Sequence, residues 1–278
     1  MKKKSNVRWI SQTFFFALIA LISFNRYLIE TGRELPFIGS ASLHSICPFG
    51  GVAAFTALIK YDVIIPKIHT STFSFLAIIL LLGLIFGPVV CSYMCPLGSV
   101  QEWFGNLGKK LLKKRYNHIV PDKLDRILRY LRYGVLFFVV YMTTTSLKLV
   151  FEEIDPYFAL FNFWSDKAAM GGLVVLGGTL LLSLFVERPW CKYACPFGAL
   201  IGLTNFFSIF KIRRNLNSCI DCKKCDKICP MNITISDKNT VMDHQCIRCG
   251  QCTSEIACPV SSTVELKVKN YREVTHEE

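Results

Sequence analysis

Residues 219–230 read Cys-Ile-Asp-Cys-Lys-Lys-Cys-Asp-Lys-Ile-Cys-Pro, and residues 246–259 read Cys-Ile-Arg-Cys-Gly-Gln-Cys-Thr-Ser-Glu-Ile-Ala-Cys-Pro. Each run sets three cysteines two residues apart and adds a fourth, followed by proline. Three thiolates at that spacing wrap one face of a cubane, and the distant fourth closes the cage from a new chain direction. In the bacterial two-cluster pattern the fourth cysteine of a run ligates the other cluster. The crossing assigns Cys219, Cys222, Cys225 and Cys258 to one [4Fe-4S] cluster and Cys229, Cys246, Cys249 and Cys252 to a second. Zinc sites also use Cys-x2-Cys pairs, but a triple run ending in Cys-Pro favours iron–sulfur. The second run departs from the pattern: Thr253 to Ala257 lie between its third and fourth cysteines, a longer loop than in the first run. Together the runs predict a small α+β two-cluster ferredoxin-like domain over residues 211–278.

Residues 1–210 read differently. The chain is 52% hydrophobic yet carries a formal charge of +12. That combination suits bilayer-spanning helices with Lys/Arg-rich flanks. No nucleic-acid module accompanies the charge, so nucleic acid is not expected as a partner and membrane lipid is. The stretches Trp9–Leu28, Ser71–Val90, Tyr130–Leu149 and Ala168–Val186 approach the roughly 20 residues needed to cross a bilayer. Arg132 and Lys148, near span ends, are expected to snorkel to the interface. Basic residues crowd the N-terminus (Lys2, Lys3, Lys4, Arg8) and residues 109–129, whereas Glu152, Glu153, Asp155 and Asp166 lie between the last two stretches. The positive-inside rule then puts both termini in the cytoplasm of a multi-pass protein of the cell inner membrane. Phe49–Ile65 is apolar but short, as in a re-entrant or interfacial segment. His44, His69, His118, His244 and His276 all fall outside the apolar stretches, so no helix pair offers two histidines to a haem.

The chain also repeats. Cys91-Ser-Tyr-Met-Cys95-Pro-Leu-Gly98 follows the second stretch and Cys191-Lys-Tyr-Ala-Cys195-Pro-Phe-Gly198 the fourth. A repeat in the same orientation predicts two parallel units within a four-helix membrane domain. Cys47-Pro-Phe-Gly-Gly51 is a weaker echo. Proline favours the first helical position, so Cys95 and Cys195 are expected to cap helices. The spacing of Leu97, Val100, Phe104, Leu107 and Leu111 predicts that the first of these lies along the membrane surface. Helix N-termini lower thiol pKa values. Cys91, Cys95, Cys191 and Cys195 are therefore candidates for a further metal or cluster, for redox thiols, or for buried structural cysteines.

Four apolar stretches, paired Cys-x3-Cys-Pro motifs and a C-terminal two-cluster domain resemble the NapH family of membrane polyferredoxins. Related are the membrane half of the NosR-type regulators and the CcoG (RdxA) proteins. The NapH resemblance implies a quinol dehydrogenase component, taking electrons from a membrane quinol and passing them to a redox partner protein of iron–sulfur or oxidoreductase type. The CcoG resemblance implies the alternative of a copper-reducing assembly factor for a respiratory oxidase. A non-catalytic redox sensor or scaffold is the third reading.

Overall fold

The computed structural model describes residues 3–31, 71–146, 150–164, 169–260 and 262–268. Cys47, His44, His69, Lys148 and the Phe49–Ile65 segment lie outside them. Helix α1 (Lys3–Glu30) holds Val7–Ile29, the one stretch among the described residues that is both helical and long and apolar enough to cross a membrane. Helix α2 (Ser71–Phe86) stops short of the Val90 expected from sequence. Gly87 has φ +80° and Pro88 follows, which together end the helix. A Cβ on Gly87 would stand 2.9 Å from both Arg248 Nε and Asn205 Oδ1, so the turn needs glycine twice over.

The chain then folds back. Helix α3 (Val89–Tyr93) returns beside α2, with Val90 packed on Ile79, and α4 (Pro96–Leu112) follows Cys95. Helices α5 (Asp122–Leu128), α6 (Leu131–Ser146) and α7 (Pro156–Asn162) lead to the second unit. That unit comprises α8 (Met170–Ser183), α9 (Pro189–Tyr193) and α10 (Pro196–Gly202), with α11 (Thr204–Phe207) after it. The two units share their hydrogen bonding. Cys95 N–H donates to Val90 O at 2.9 Å and Cys195 N–H to Trp190 O at 2.8 Å. Cys95 sits at φ −70°, ψ 112° and Cys195 at φ −68°, ψ 112°, each directly before a proline at the first helical turn.

Helix α4 keeps Phe104, Leu107 and Leu111 exposed. It runs beside α8, with Leu97 against Leu176 at one end and Gly108 against the Leu184 carbonyl at the other. Glycines on its inner face allow that close approach, which the apolar spacing of its outer face did not disclose. Helix α10 packs against α6, and Ile201 reaches Ile79 of α2. The acidic segment before α8 folds inward too: Asp155 caps α7, and Phe161 is buried against Phe16 and Ile19 of α1. Large apolar side chains including Phe14, Ile78, Leu81, Phe137, Val174 and Leu181 stay more than half exposed on α1, α2, α6 and α8.

The C-terminal part carries an antiparallel sheet of order β2-β1-β3, from β1 (Phe210–Arg214), β2 (Thr240–Val241) and β3 (Val264–Val268). Ile212 pairs with Val241 on one side and Leu266 on the other. The sheet is tied to the helical part directly: Ile209 N–H donates to Leu84 O at 3.0 Å, and Phe86 stacks on Phe210 with centroids 5.2 Å apart. Arg132 does not snorkel outward. It is buried, donating to His244 O at 2.8 Å and Gln245 Oε1 at 3.2 Å.

Gly108→Ala should lower stability by about 1–3 kcal/mol, the usual cost of overpacking, because the new methyl meets backbone that cannot swing away. Thermal unfolding of the purified full chain against the wild type measures this.

Candidate metal centres

The sequence-predicted cysteines fall in three regions, and four of them line one cavity. A small apolar cavity is lined by Cys229, Cys246, Cys249 and Cys252, with Met231, Ile235 and Ile247 among the apolar neighbours. Cys229 reaches it from the first run and the other three come from the second, as the crossed pattern requires. The loop from Thr240 to Cys252 is pinned to the helices along its length. Arg132 holds Gln245 at its start. Asn205 Nδ2 donates to Cys246 O at 2.6 Å, and Arg248 Nε donates to Asn205 Oδ1 at 2.9 Å. With its amide oriented to satisfy both partners, Gln251 accepts from Arg8 Nη1 at 2.8 Å.

Cys219 and Cys225 are within electrostatic reach of each other. Cys222 is exposed, and Cys258 packs against the same apolar core as Cys225 and Cys252. Arg214 Nη1 donates to Cys219 Sγ at 3.2 Å and to Asp221 Oδ1 at 3.1 Å. This group lies toward solvent, and the Cys229 group lies toward the helices.

The third group is Cys91, Cys95, Cys191 and Cys195, near enough to act on one another's charge. Gly198 N–H donates to Cys195 Sγ at 3.2 Å, and Gln101 Nε2 to Cys191 Sγ at 3.5 Å. The thiols are not activated by their helix ends. Burial pushes all four up, with neighbouring thiolates adding to it at Cys91, Cys191 and Cys195; Cys191 reaches about 11. Desolvation of the charged form outweighs the helix N-terminus, which the sequence reading had placed first. Thiols raised this way ionise when a cation takes their charge, as a coordinated metal does. Among the described residues no three His, Cys, Asp or Glu side chains converge as ligands of one metal ion.

Around the third group runs a buried ion network. Glu102 accepts from Arg188 Nη2 at 2.6 Å, Arg8 Nη2 at 2.5 Å and Gln12 Nε2 at 3.0 Å. Burial alone pushes the Glu102 carboxyl up, but the two arginines outweigh it and hold it below the ordinary range. Arg188 also donates to Cys91 O at 2.7 Å, and a Cβ on Gly98 would stand 2.9 Å from its Nη1. Nearby, Asp125 pairs with Lys192 at 2.7 Å and with Arg129. The sequence reading missed Glu102, Arg188 and Asp125. The available signal was their isolation: Glu102 is the one acidic residue between Cys91 and Pro121, and Glu187-Arg188 interrupts the approach to Cys191.

The family model described as a 4Fe-4S binding domain matches residues 68–115 and 168–216. Those are the two repeat units, not the eight-cysteine segment. YccM of Escherichia coli (strain K12), whose name gives it provisionally to electron transport, is 33% identical over 220 residues, 76% of this chain and 60% of that protein. The uncharacterized protein MJ0750 of Methanocaldococcus jannaschii is 32% identical over 255 residues, 91% of this chain and 93% of its own length. The ferredoxin-type protein NapH of Haemophilus influenzae is 28% identical over 186 residues, 63% and 62% of the two chains. No solved structure matches.

Mostly helical architecture, clustered cysteines and these relatives define an iron–sulfur protein of the electron-transfer class. The chain belongs to the family of NapH-type membrane ferredoxin-like proteins, with the 4Fe-4S binding unit present twice.

Glu102→Ala strands two buried arginines and should cost about 3–5 kcal/mol, whereas Glu102→Gln, which keeps hydrogen-bond acceptance, should cost less. Thermal unfolding of both variants checks the order.

Proposed function

We propose that this chain is a four-span inner-membrane electron carrier that oxidises a membrane quinol and passes the electrons through three [4Fe-4S] clusters to a cytoplasmic redox partner. Residues 1–210 form the membrane domain and residues 211–278 the ferredoxin-like domain. Cys219, Cys222, Cys225 and Cys258 hold the outermost cluster, and Cys229, Cys246, Cys249 and Cys252 the middle one. Cys91, Cys95, Cys191 and Cys195 hold a third. The belt of exposed apolar side chains on α1, α2, α6 and α8 supports the four spans. The basic N-terminus and residues 109–129 support cytoplasmic termini.

The observation that carries the reading is a continuous series of sites. At one end lies an apolar cavity of about 340 Å3 between α1, α2 and α7, bordered by Cys95 and Cys195 but by neither Cys91 nor Cys191. Phe15, Leu18, Ile79 and Trp190 line it, and Asp155 is its one carboxylate. Next comes the four-thiol group, whose Cys91 packs against the core that holds Cys246 and Cys252. Cys252 is in electrostatic reach of Cys225, and Cys222 of that last group meets solvent. A lipid-soluble two-electron donor suits the apolar end: a quinol released there as quinone yields two electrons to the clusters and two protons. The solvent end suits a protein acceptor.

Anaerobic purification should yield brown protein with about twelve irons per chain, against about eight if only the C-terminal cysteines bind clusters. Cys95→Ser with Cys195→Ser should keep the two C-terminal clusters, seen by electron paramagnetic resonance, yet abolish their reduction by a short-chain quinol. Normal quinol reduction in that double variant would sink the third-cluster role.

A further inference from the structure

Buried arginines stand beside each cysteine group, and each leaves part of its guanidinium unanswered. Arg188 is 0% exposed. Its Nη1 and Nη2 are bonded to Cys91 O and Glu102, but its Nε has no hydrogen-bond partner. Among nearby cations it acts first on Cys91, Cys95 and Cys191. Arg248 is 5% exposed, with Nε on Asn205 and Nη2 on Ser208, while Nη1 is unpartnered. Its charge acts on Cys246 and Cys252, and Asn205, which holds its Nε, donates to Cys246 O. Arg214 has a side chain 7% exposed, donates Nη1 to Cys219 Sγ, and leaves Nε unpartnered. Buried donors without acceptors are rare because each costs the full loss of its hydration. Among the described residues, three such donors stand beside the three cysteine groups.

We propose that Arg188, Arg248 and Arg214 are cluster cations, each donating its free N–H to the cluster beside it and raising that cluster's reduction potential. The inference rests on the cluster reading above. Reduction adds negative charge to a cluster, and a buried cation hydrogen-bonded to it stabilises the reduced form more than the oxidised one. The anchoring bonds to Glu102, Asn205, Ser208 and Asp221 fix where each guanidinium sits. Arg132 also has an unpartnered Nε, but it ranks behind Arg188 at Cys91, and its other nitrogens hold the Gln245 loop.

The test is an anaerobic redox titration of the purified full chain, followed by electron paramagnetic resonance, on Arg188→Lys, Arg248→Lys, Arg214→Lys and the matching Gln variants. Each Gln variant should lower the midpoint of one cluster so that its ratio of reduced to oxidised form, at fixed potential, falls about tenfold, ~59 mV for one electron. The other two signals should stay in place. The Lys variants, which keep charge but lose the fixed N–H, should fall between. Because Arg188→Gln unbalances Glu102, the pair Arg188→Gln with Glu102→Gln is titrated beside it. An unchanged midpoint in a variant that holds full iron overturns the assignment for that residue. Equal shifts of all three midpoints overturn it for all, since they mean a general loss of structure. If the wild type holds only two clusters, the third-cluster reading and the Arg188 role fail together, while the Arg248 and Arg214 shifts still decide the rest.

Discussion

Glu102 accepts from two buried arginines that arrive from different parts of the chain. Arg8 comes from α1, Arg188 from the turn before Cys191, and the carboxylate from α4 after Cys95. Removing three charges from water is expensive, and the two arginines share the one carboxylate while also donating to Ser92 O and Cys91 O. Its effect is one of register. It fixes how far α1 slides along α4, and how the second repeat's turn meets the first repeat's Cys91 carbonyl. The position of all four repeat cysteines follows from that.

The same ions connect the helical part to the C-terminal loops. Arg8 bonds Glu102 and the end of the second cysteine run, at Gln251. Arg132 holds the start of that run and Arg248 its middle. The loop that carries Cys246, Cys249 and Cys252 is therefore pinned at several points by side chains already committed elsewhere. In the proposed function this keeps the gap between the middle and membrane-side clusters constant. The outermost group, with Cys222 exposed, has fewer ties to the helices, as a partner-facing site requires.

The two repeat units share backbone geometry but not chemistry. Cys95 and Cys195 hold nearly the same φ and ψ, and their backbone N–H groups donate to equivalent carbonyls, Val90 O and Trp190 O. The first unit supplies Glu102 where the second has Gly202, and the second supplies Arg188 where the first has Pro88. Gly202 lies close under Arg132 and the His244 carbonyl, so a longer side chain is excluded there. One half thus carries the acid and the other the base, and a nearly symmetric backbone presents an asymmetric electrostatic setting. The docked C-terminal part meets both halves, through Leu84 in the first and Lys192 in the second.

The sequence by itself determined the redox chemistry. The Cys-x2-Cys-x2-Cys runs and the Cys-x3-Cys-Pro repeat name their thiols by spacing alone, because a ligand set that wraps one object is local in the chain. It also located the proline-started helices after Cys95 and Cys195 and the apolar stretches. It did not reveal that α4 turns back beside α8, because the helix's outer apolar residues look the same on a membrane surface as on a packed helix. It put thiol activation first, since a helix end is visible in sequence and burial is not. Only the tertiary structure decided that Glu102, Arg8 and Arg188 meet, and that Arg132 turns inward to the Gln245 loop. Those contacts join residues as much as 113 positions apart, and a charge carries no mark in the sequence of the distant partner that makes its burial tolerable.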